Sequence, residues 1–174
     1  ILLDGKIIPF DNIDTWMPKS WQLKNKNGVP IEKIISHKGM MMQYSKKTGI
    51  SFQRLEKEEI YPELFIETDD ALEIRTDFVD TVAWLIFQRV EKLFEKKPTT
   101  TFNRIILGLR LAQLIEKFPE LFEEIKLSVK KQIRDSQVLG QTTKKHYLQK
   151  NLISLSKLPH APIIGAGVSA YQNA

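Results

Sequence analysis

The strongest constraint on the fold is an apolar repeat in the second half of the chain, where hydrophobic residues recur every three or four positions. This spacing places them on one face of an α-helix. After Asp77 the repeat comprises Phe78, Val82, Leu85, Ile86, Val90 and Leu93. Asp77 can cap the start of such a helix, and the cations of Lys96 and Lys97 suit its C-terminus. The pattern predicts a long amphipathic helix from Asp77 to about Lys97.

Three further helices are predicted after this one. They start at Thr99–Thr101, at Glu120 and near Thr142, and the last two end near Arg134 and Leu155. The inward residues of the first are Ile105, Ile106, Leu109, Ala112 and Ile115. Pro119 breaks the first helix and opens the second. Residues 77–157 are therefore predicted to form a helical part, and residues 158–174 a tail.

The first 76 residues show shorter patterns. Asp-Gly at positions 4 and 5 lies between two apolar runs, which predicts a β-hairpin. A helical pattern begins at Ile31, and Gly39 ends or interrupts it. The runs Leu64–Thr68 and Leu72–Thr76 are of the β type and are separated by three residues. They predict a second hairpin.

Composition narrows the classes of function. The chain has 174 residues, no cysteine and a formal net charge of +5. Its length fits one domain, or one domain with an appended helical lobe. The lack of cysteine excludes disulfides, thiolate nucleophiles and cysteine-ligated zinc. The positive charge permits a polyanionic partner without requiring one.

No complete catalytic or metal site is visible in the sequence. The three histidines, His37, His146 and His160, are scattered and have no carboxylate at metal-ligand spacing. We therefore expect no metal, no cofactor and no enzymatic activity. The longest purely apolar run, Val82–Phe87, is much shorter than the roughly 20 residues that span a bilayer. No signal peptide is apparent, so a cytoplasmic protein without a membrane partner is expected.

The stretch from Met41 to Ile60 has the spacing of a helix-turn-helix. Such a unit needs a small residue where the helices cross, a glycine in the turn, and buried apolar residues at fixed offsets. Ser45 is the small residue at the crossing, and Gly49 is the turn glycine. The buried apolar positions are filled by Tyr44, Ile50 and Leu55. Ser51 would cap the second helix.

The string from Tyr44 to Glu56 resembles the helix-turn-helix of bacterial repressor-type and winged-helix DNA-binding domains. The resemblance implies helices over Met41–Lys47 and Phe52–Ile60, the second being the recognition helix. It also implies that the hairpin after this helix is the wing. The implied DNA-binding residues are Lys46, Lys47, Ser51, Gln53, Arg54 and Lys57. Glutamine suits adenine and arginine suits guanine in the major groove.

A second basic segment precedes Tyr147. Lys144 and Lys145, with the cations at the end of the preceding helix, are candidates for additional phosphate contacts. The segment faintly resembles the stretch before the nucleophilic tyrosine of tyrosine recombinases. However, the tyrosine follows Gly140 too closely, and no His-x-x-Arg sequence lies upstream. A solvated basic helix is the expected structure.

The sequence therefore predicts a mainly α protein with a winged-helix-like part (1–76) and a helical bundle part (77–157). The predicted function is non-catalytic binding of duplex DNA, as in a regulator or a plasmid or phage accessory factor. The helical part would form a homodimer or dock a partner protein. Other hypotheses stay open. The short helices around Gly49 would then be ordinary helices of a bundle. In that case the protein would be a helical adaptor or a subunit of a larger assembly. A third hypothesis is an enzyme, which would need a concave polar site that sequence does not show.

Overall fold

The computed structural model describes residues 2–3, 6–7, 23–25, 27–58 and 68–156, and this part of the chain is mainly helical, as predicted. The helices are α1 (Glu32–Ile35), α2 (His37–Thr48), α3 (Phe52–Glu58), α4 (Asp69–Lys96), α5 (Leu109–Lys117), α6 (Pro119–Asp135) and α7 (Gln141–Gln149). The strands are β1 (Leu2–Leu3), β2 (Lys6–Ile7), β3 (Ile105–Leu107) and β4 (Ile153–Leu155).

The described residues fall into two compact units. Those within Lys19–Leu85 form one, here named the N-terminal unit. Those within Ile1–Pro18 and Ile86–Ala174 form the other, the C-terminal unit. Helix α4 contributes residues to both, and the domain boundary predicted after Thr76 lies inside it. The predicted tail, 158–174, lies outside the described residues.

The hairpin predicted at the N-terminus is confirmed. Strands β1 and β2 pair antiparallel, with Leu2 opposite Ile7 and Leu3 opposite Lys6. Two residues separate the strands in the sequence, which is the commonest hairpin loop length.

The second predicted hairpin is wrong, because its second strand, Leu72–Thr76, lies inside helix α4. The first strand, at 64–67, lies outside the described residues. Helix α4 begins at Asp69, and the Thr68 hydroxyl accepts a hydrogen bond from the amide of Ala71 at 3.3 Å. Thr68 therefore caps this helix instead of Asp77, and the predicted wing is not formed from this segment.

The apolar spacing explains why this segment is helical. Ala71, Ile74 and Phe78 follow one another at intervals of three and four, and all three are fully buried. They continue the face that the rest of α4 buries. In a strand, Leu72 and Ile74 would share one face, but here Leu72 is 55% exposed. Burial of one continuous helical stripe therefore outweighs the local β pattern.

In the C-terminal unit, helix α6 matches its prediction closely. It buries Leu121, Ile125, Val129 and Ile133 on one face. Pro119 occupies its first turn, where a missing amide proton costs nothing.

A small parallel sheet replaces parts of two predicted helices. Residues 105–107, expected in a helix, form β3, and the last residues expected in the final helix form β4. The strands pair parallel, with Ile105 opposite Ile153 and Leu107 opposite Leu155. The ladder is extended by the amide of Ser156, which donates to the Leu107 carbonyl at 2.7 Å. The chain therefore leaves α7 at Gln149 and returns to β3.

Tyr147 is a core residue of this unit. It is 1% exposed, and its hydroxyl accepts a hydrogen bond from the amide of Phe102 at 2.9 Å. Burial raises the pKa of the Tyr147 phenol, and the hydrogen bond from Phe102 partly opposes this shift. The tyrosine therefore ties helix α7 to the segment before β3, which gives it a structural role.

Candidate nucleic-acid interface

Helix α2 is held against α1 by a close approach of main chains. The Ser36 hydroxyl accepts a hydrogen bond from the amide of Gly39 at 3.0 Å and so caps α2. The prediction that Gly39 ends or interrupts a helix is wrong, since it lies buried in the first turn of α2. A Cβ atom there would lie 2.6 Å from the carbonyl carbon of Lys33 and 2.8 Å from the carbonyl oxygen of Glu32. Glycine therefore allows the two helices to touch.

The turn between α2 and α3 is set by Gly49. Its φ of 76° and ψ of 0° are left-handed, and its amide donates to the carbonyl of Ser45 at 2.9 Å. Glycine adopts this geometry without steric cost. Two residues later, the Ser51 hydroxyl accepts a hydrogen bond from the amide of Arg54 at 3.3 Å. The predicted turn glycine and the predicted serine cap are thus both found, and three residues join the helices.

Helix α3 has one inward side and one solvent side. Leu55 is 1% exposed, and Tyr44 on α2 is also buried. Gln53, Arg54 and Lys57 are all exposed. Because Leu55 anchors the helix, these three side chains extend toward solvent from consecutive turns. Within the described residues the helix extends to Glu58, and its predicted end at Ile60 lies outside them.

Lys46 and Lys47 lie exposed in the last turn of α2. The ammonium of Lys47 forms an ion pair with the carboxylate of Glu73 on α4. The hydrogen bond within this ion pair is the main reason why the pKa of Lys47 is raised, and the charges of Asp70 and Asp77 add to the effect. A phosphate that binds Lys47 must therefore displace or share Glu73.

Sequence reasoning missed Glu73 because its segment was assigned to a strand. The signal that could have found it is helical spacing: Asp70, Glu73 and Asp77 are separated by three and four residues. On a helix, this spacing places the carboxylates in one row. Within the N-terminal unit, the row lies near the last turn of α2.

Lys144 and Lys145, the other two predicted DNA-binding residues, belong to the C-terminal unit. The ammonium of Lys144 donates a hydrogen bond to the carbonyl of Arg134, at the end of α6, at 3.0 Å. It satisfies one of the carbonyls that a helix leaves unpaired at its C-terminus. Lys145 is exposed. The first lysine thus positions α7 against α6, and the second faces solvent.

Neither a metal centre nor a bilayer-spanning helix is found in the part of the chain that the structure describes. No three histidine, aspartate or glutamate side chains are grouped there as ligands. None of the described helices combines the length and apolar composition needed to cross a bilayer.

Comparison with known proteins adds no relative. No protein-family model matches the chain, no curated protein matches its sequence, and no solved structure matches its fold. The function is therefore inferred from the geometry of the described residues.

Proposed function

We propose that this chain is a non-catalytic DNA-binding protein in which α2 and α3 act as a helix-turn-helix. The observation that carries the proposal is the seating of α3 after the left-handed turn at Gly49. Leu55 is buried while Gln53, Arg54 and Lys57 are exposed together. A recognition helix needs this arrangement, because it must be anchored on one side and present polar side chains on the other.

The exposed residues have chemistry suited to DNA. Gln53 can pair with the N6 and N7 atoms of adenine, and Arg54 with the O6 and N7 atoms of guanine. Lys57 on α3 and Lys46 on α2 supply cations for phosphates. Ser51 precedes α3 and is exposed, so its hydroxyl is also accessible to a phosphate. In this proposal α3 contacts the bases, and the end of α2 orients the protein on the duplex through phosphate contacts.

The experiment that tests the recognition-helix assignment compares Arg54→Ala with wild type. Binding sites are first selected from a random-sequence duplex library, and affinity is then measured on selected and on unrelated duplexes. Loss of one bidentate contact costs about 1–3 kcal/mol, or roughly five- to 150-fold in affinity. We expect that loss on selected duplexes only, with a relaxed preference at one base pair.

Arg104→Ala is the matched control, because Arg104 is an exposed arginine of the C-terminal unit and carries the same charge. It should leave the base preference unchanged. Equal affinity and equal preference of wild type and Arg54→Ala would remove α3 from base recognition.

A second candidate function is that of a helical adaptor or assembly subunit. The observation that favours it is the exposure of large apolar side chains on the C-terminal unit. Ile106 is 63% exposed and Leu127 is 66% exposed. Apolar docking, to a partner or to a second copy, responds weakly to salt, whereas phosphate contacts weaken steeply. Substituting both residues by serine should abolish association with a protein partner and leave DNA affinity unchanged.

A further inference from the structure

The C-terminal unit carries a concentration of cations that α2 and α3 do not explain. Residues 126–150 contain seven lysines and arginines and one acidic residue, Asp135. Most of these cations are exposed around the end of α6 and along α7. We name five of them the basic face: Lys130, Lys131, Arg134, Lys144 and Lys145. A cluster of one sign raises the local concentration of anions.

The basic face is contiguous on α6. Arg134 follows Lys131 by three residues and Lys130 by four, so its side chain neighbours both on the helix surface. None of the three belongs to the buried face of α6. All three side chains are exposed.

The contact of Lys144 brings α7 to the same place. Its ammonium is 3.0 Å from the carbonyl of Arg134, so the start of α7 adjoins the last turn of α6. Lys145 is exposed on the next position of the chain. The ammonium of Lys144 therefore lies at the end of α6, and the exposed Lys145 is the next residue of α7.

Within the described residues, three cations of the basic face lack the ion pairs that other lysines of the unit form. Lys92 pairs with Glu95 at 2.6 Å, and Lys126 pairs with Glu123 at 2.7 Å. Among the described carboxylates, none forms an ion pair with Lys130, Lys131 or Lys145. Like charges held close together repel one another. An anionic ligand relieves that repulsion, so charge complementarity favours a polyanion.

The surroundings favour nucleic acid over a membrane. A helix that lies on a bilayer presents a continuous apolar face to the lipid. The apolar face of α6 is instead buried in the unit, and Leu127 is the one large apolar residue exposed on that helix among the described side chains. Phosphates of a nucleic-acid backbone need only cations and hydrogen-bond donors.

We propose that the basic face binds the phosphate backbone of duplex DNA without reading its sequence. The choice of DNA as the polyanion rests on the function proposed for α2 and α3. The inference that the basic face binds a polyanion is independent of that proposed function. The basic face adds electrostatic affinity that is equal for all sequences. Lys144 is a positioning residue in this arrangement, since it holds α7 at the end of α6.

The test is a triple variant of the full chain, Lys130→Gln, Lys131→Gln and Lys145→Gln. Its affinity for selected and for random-sequence duplexes is measured by fluorescence anisotropy over a range of salt concentrations. Each lost phosphate contact lowers the slope of log affinity against log salt by about 0.9. We expect a shallower slope and the same fold-loss of affinity on both kinds of duplex.

The matched control is Lys92→Gln, Lys96→Gln and Lys97→Gln, which removes the same charge from another part of the same unit. Its slope should stay close to that of wild type. Equal urea midpoints of both variants and wild type ensure that folding is not the cause.

An unchanged slope in the triple variant overturns the inference. If that variant also loses binding to phosphatidylserine-containing vesicles, the basic face is assigned to a membrane instead. The two proposals fail separately. If Arg54→Ala has no effect while the triple variant flattens the slope, the recognition helix is wrong and the basic face stands. The reverse pattern retains the recognition helix and removes the basic face.

Discussion

Substitution of Gly39 by alanine tests the packing that holds the candidate interface in place. In an open helix this change stabilises by about 1 kcal/mol, because alanine is the better helix former. Here the new Cβ would lie 2.6 Å and 2.8 Å from main-chain atoms of Lys33 and Glu32. Ordinary contact begins at 3.4 Å, so α1 must move by most of an ångström. Main chain cannot rotate away as a flexible side chain can.

The displacement strains several interactions at once. The side-chain amide of Gln43 donates to the Lys33 carbonyl at 2.8 Å, and Ile34 of α1 is 2% exposed. Overpacking of this kind costs about 1–3 kcal/mol, and the upper part of that range applies when backbone must shift. After the gain in helix propensity, we expect Gly39→Ala to lower the free energy of unfolding by about 2 kcal/mol.

The measurement is urea denaturation followed by circular dichroism. Lys38→Ala is the control, since Lys38 is exposed beside Gly39 in the same helix and should change stability by less than about 0.5 kcal/mol. A Gly39→Ala protein as stable as wild type, or more stable, would refute the close approach of α1 and α2. A lower midpoint with an unchanged slope against urea supports it.

Three further predictions follow from single contacts. Ser136→Ala should destabilise by about 1–3 kcal/mol in urea titrations, since the buried hydroxyl bonds two amides of the turn before α7. Tyr147→Phe should cost about 0.5–1.5 kcal/mol at neutral pH, because the Phe102 amide loses its acceptor. Because burial raises the pKa of Tyr147, the unfolded phenol ionises first. The contribution of Tyr147 to the free energy of unfolding is therefore fully present below about pH 10 and is lost as the pH rises further. In Tyr147→Phe the free energy of unfolding, measured at a series of pH values, should fall less steeply above about pH 10. Glu73→Gln should lower the pKa of Lys47 toward its ordinary value and raise affinity for DNA a few-fold by anisotropy, and lower affinity would show that Glu73 assists binding.

Local patterns were sufficient where one element determines its own structure. The left-handed turn at Gly49 and the cap at Ser51 depend on backbone geometry within a few residues, so residue type alone indicates them. The buried face of α6 follows from its apolar repeat, since a long amphipathic helix has one way to bury its stripe.

Local patterns failed where distant residues decide. Strand β3 pairs with β4, and the paired residues Ile105 and Ile153 are 48 positions apart in the sequence. The spacing of apolar residues within a short segment does not indicate such a long-range pairing. The sequence predicts that Gly39 ends or interrupts a helix. In the structure its missing side chain lets the main chain of α1 approach closely, which only the contact between the two helices reveals. Leu72–Thr76 fits a strand in isolation and becomes helical because the long apolar stripe of α4 includes it.

The same division holds for the candidate interface. Sequence placed Gln53, Arg54 and Lys57 on one exposed surface, which the structure also exposes. It could not show that Lys47 is engaged by Glu73, or that Lys144 holds the end of α6, because both partners come from other elements. The sequence thus shows where the cations are, but only the tertiary structure shows which of them are available to a ligand.

The most direct test of the central claim is the affinity of the purified chain for a labelled random-sequence duplex at low and at physiological salt. We predict binding that weakens roughly a hundredfold or more between about 50 mM and about 200 mM salt, as four or more phosphate contacts require. No binding at low salt, or binding that is insensitive to salt, would contradict it. The helices around Gly49 would then be ordinary bundle helices, and a protein partner would be sought.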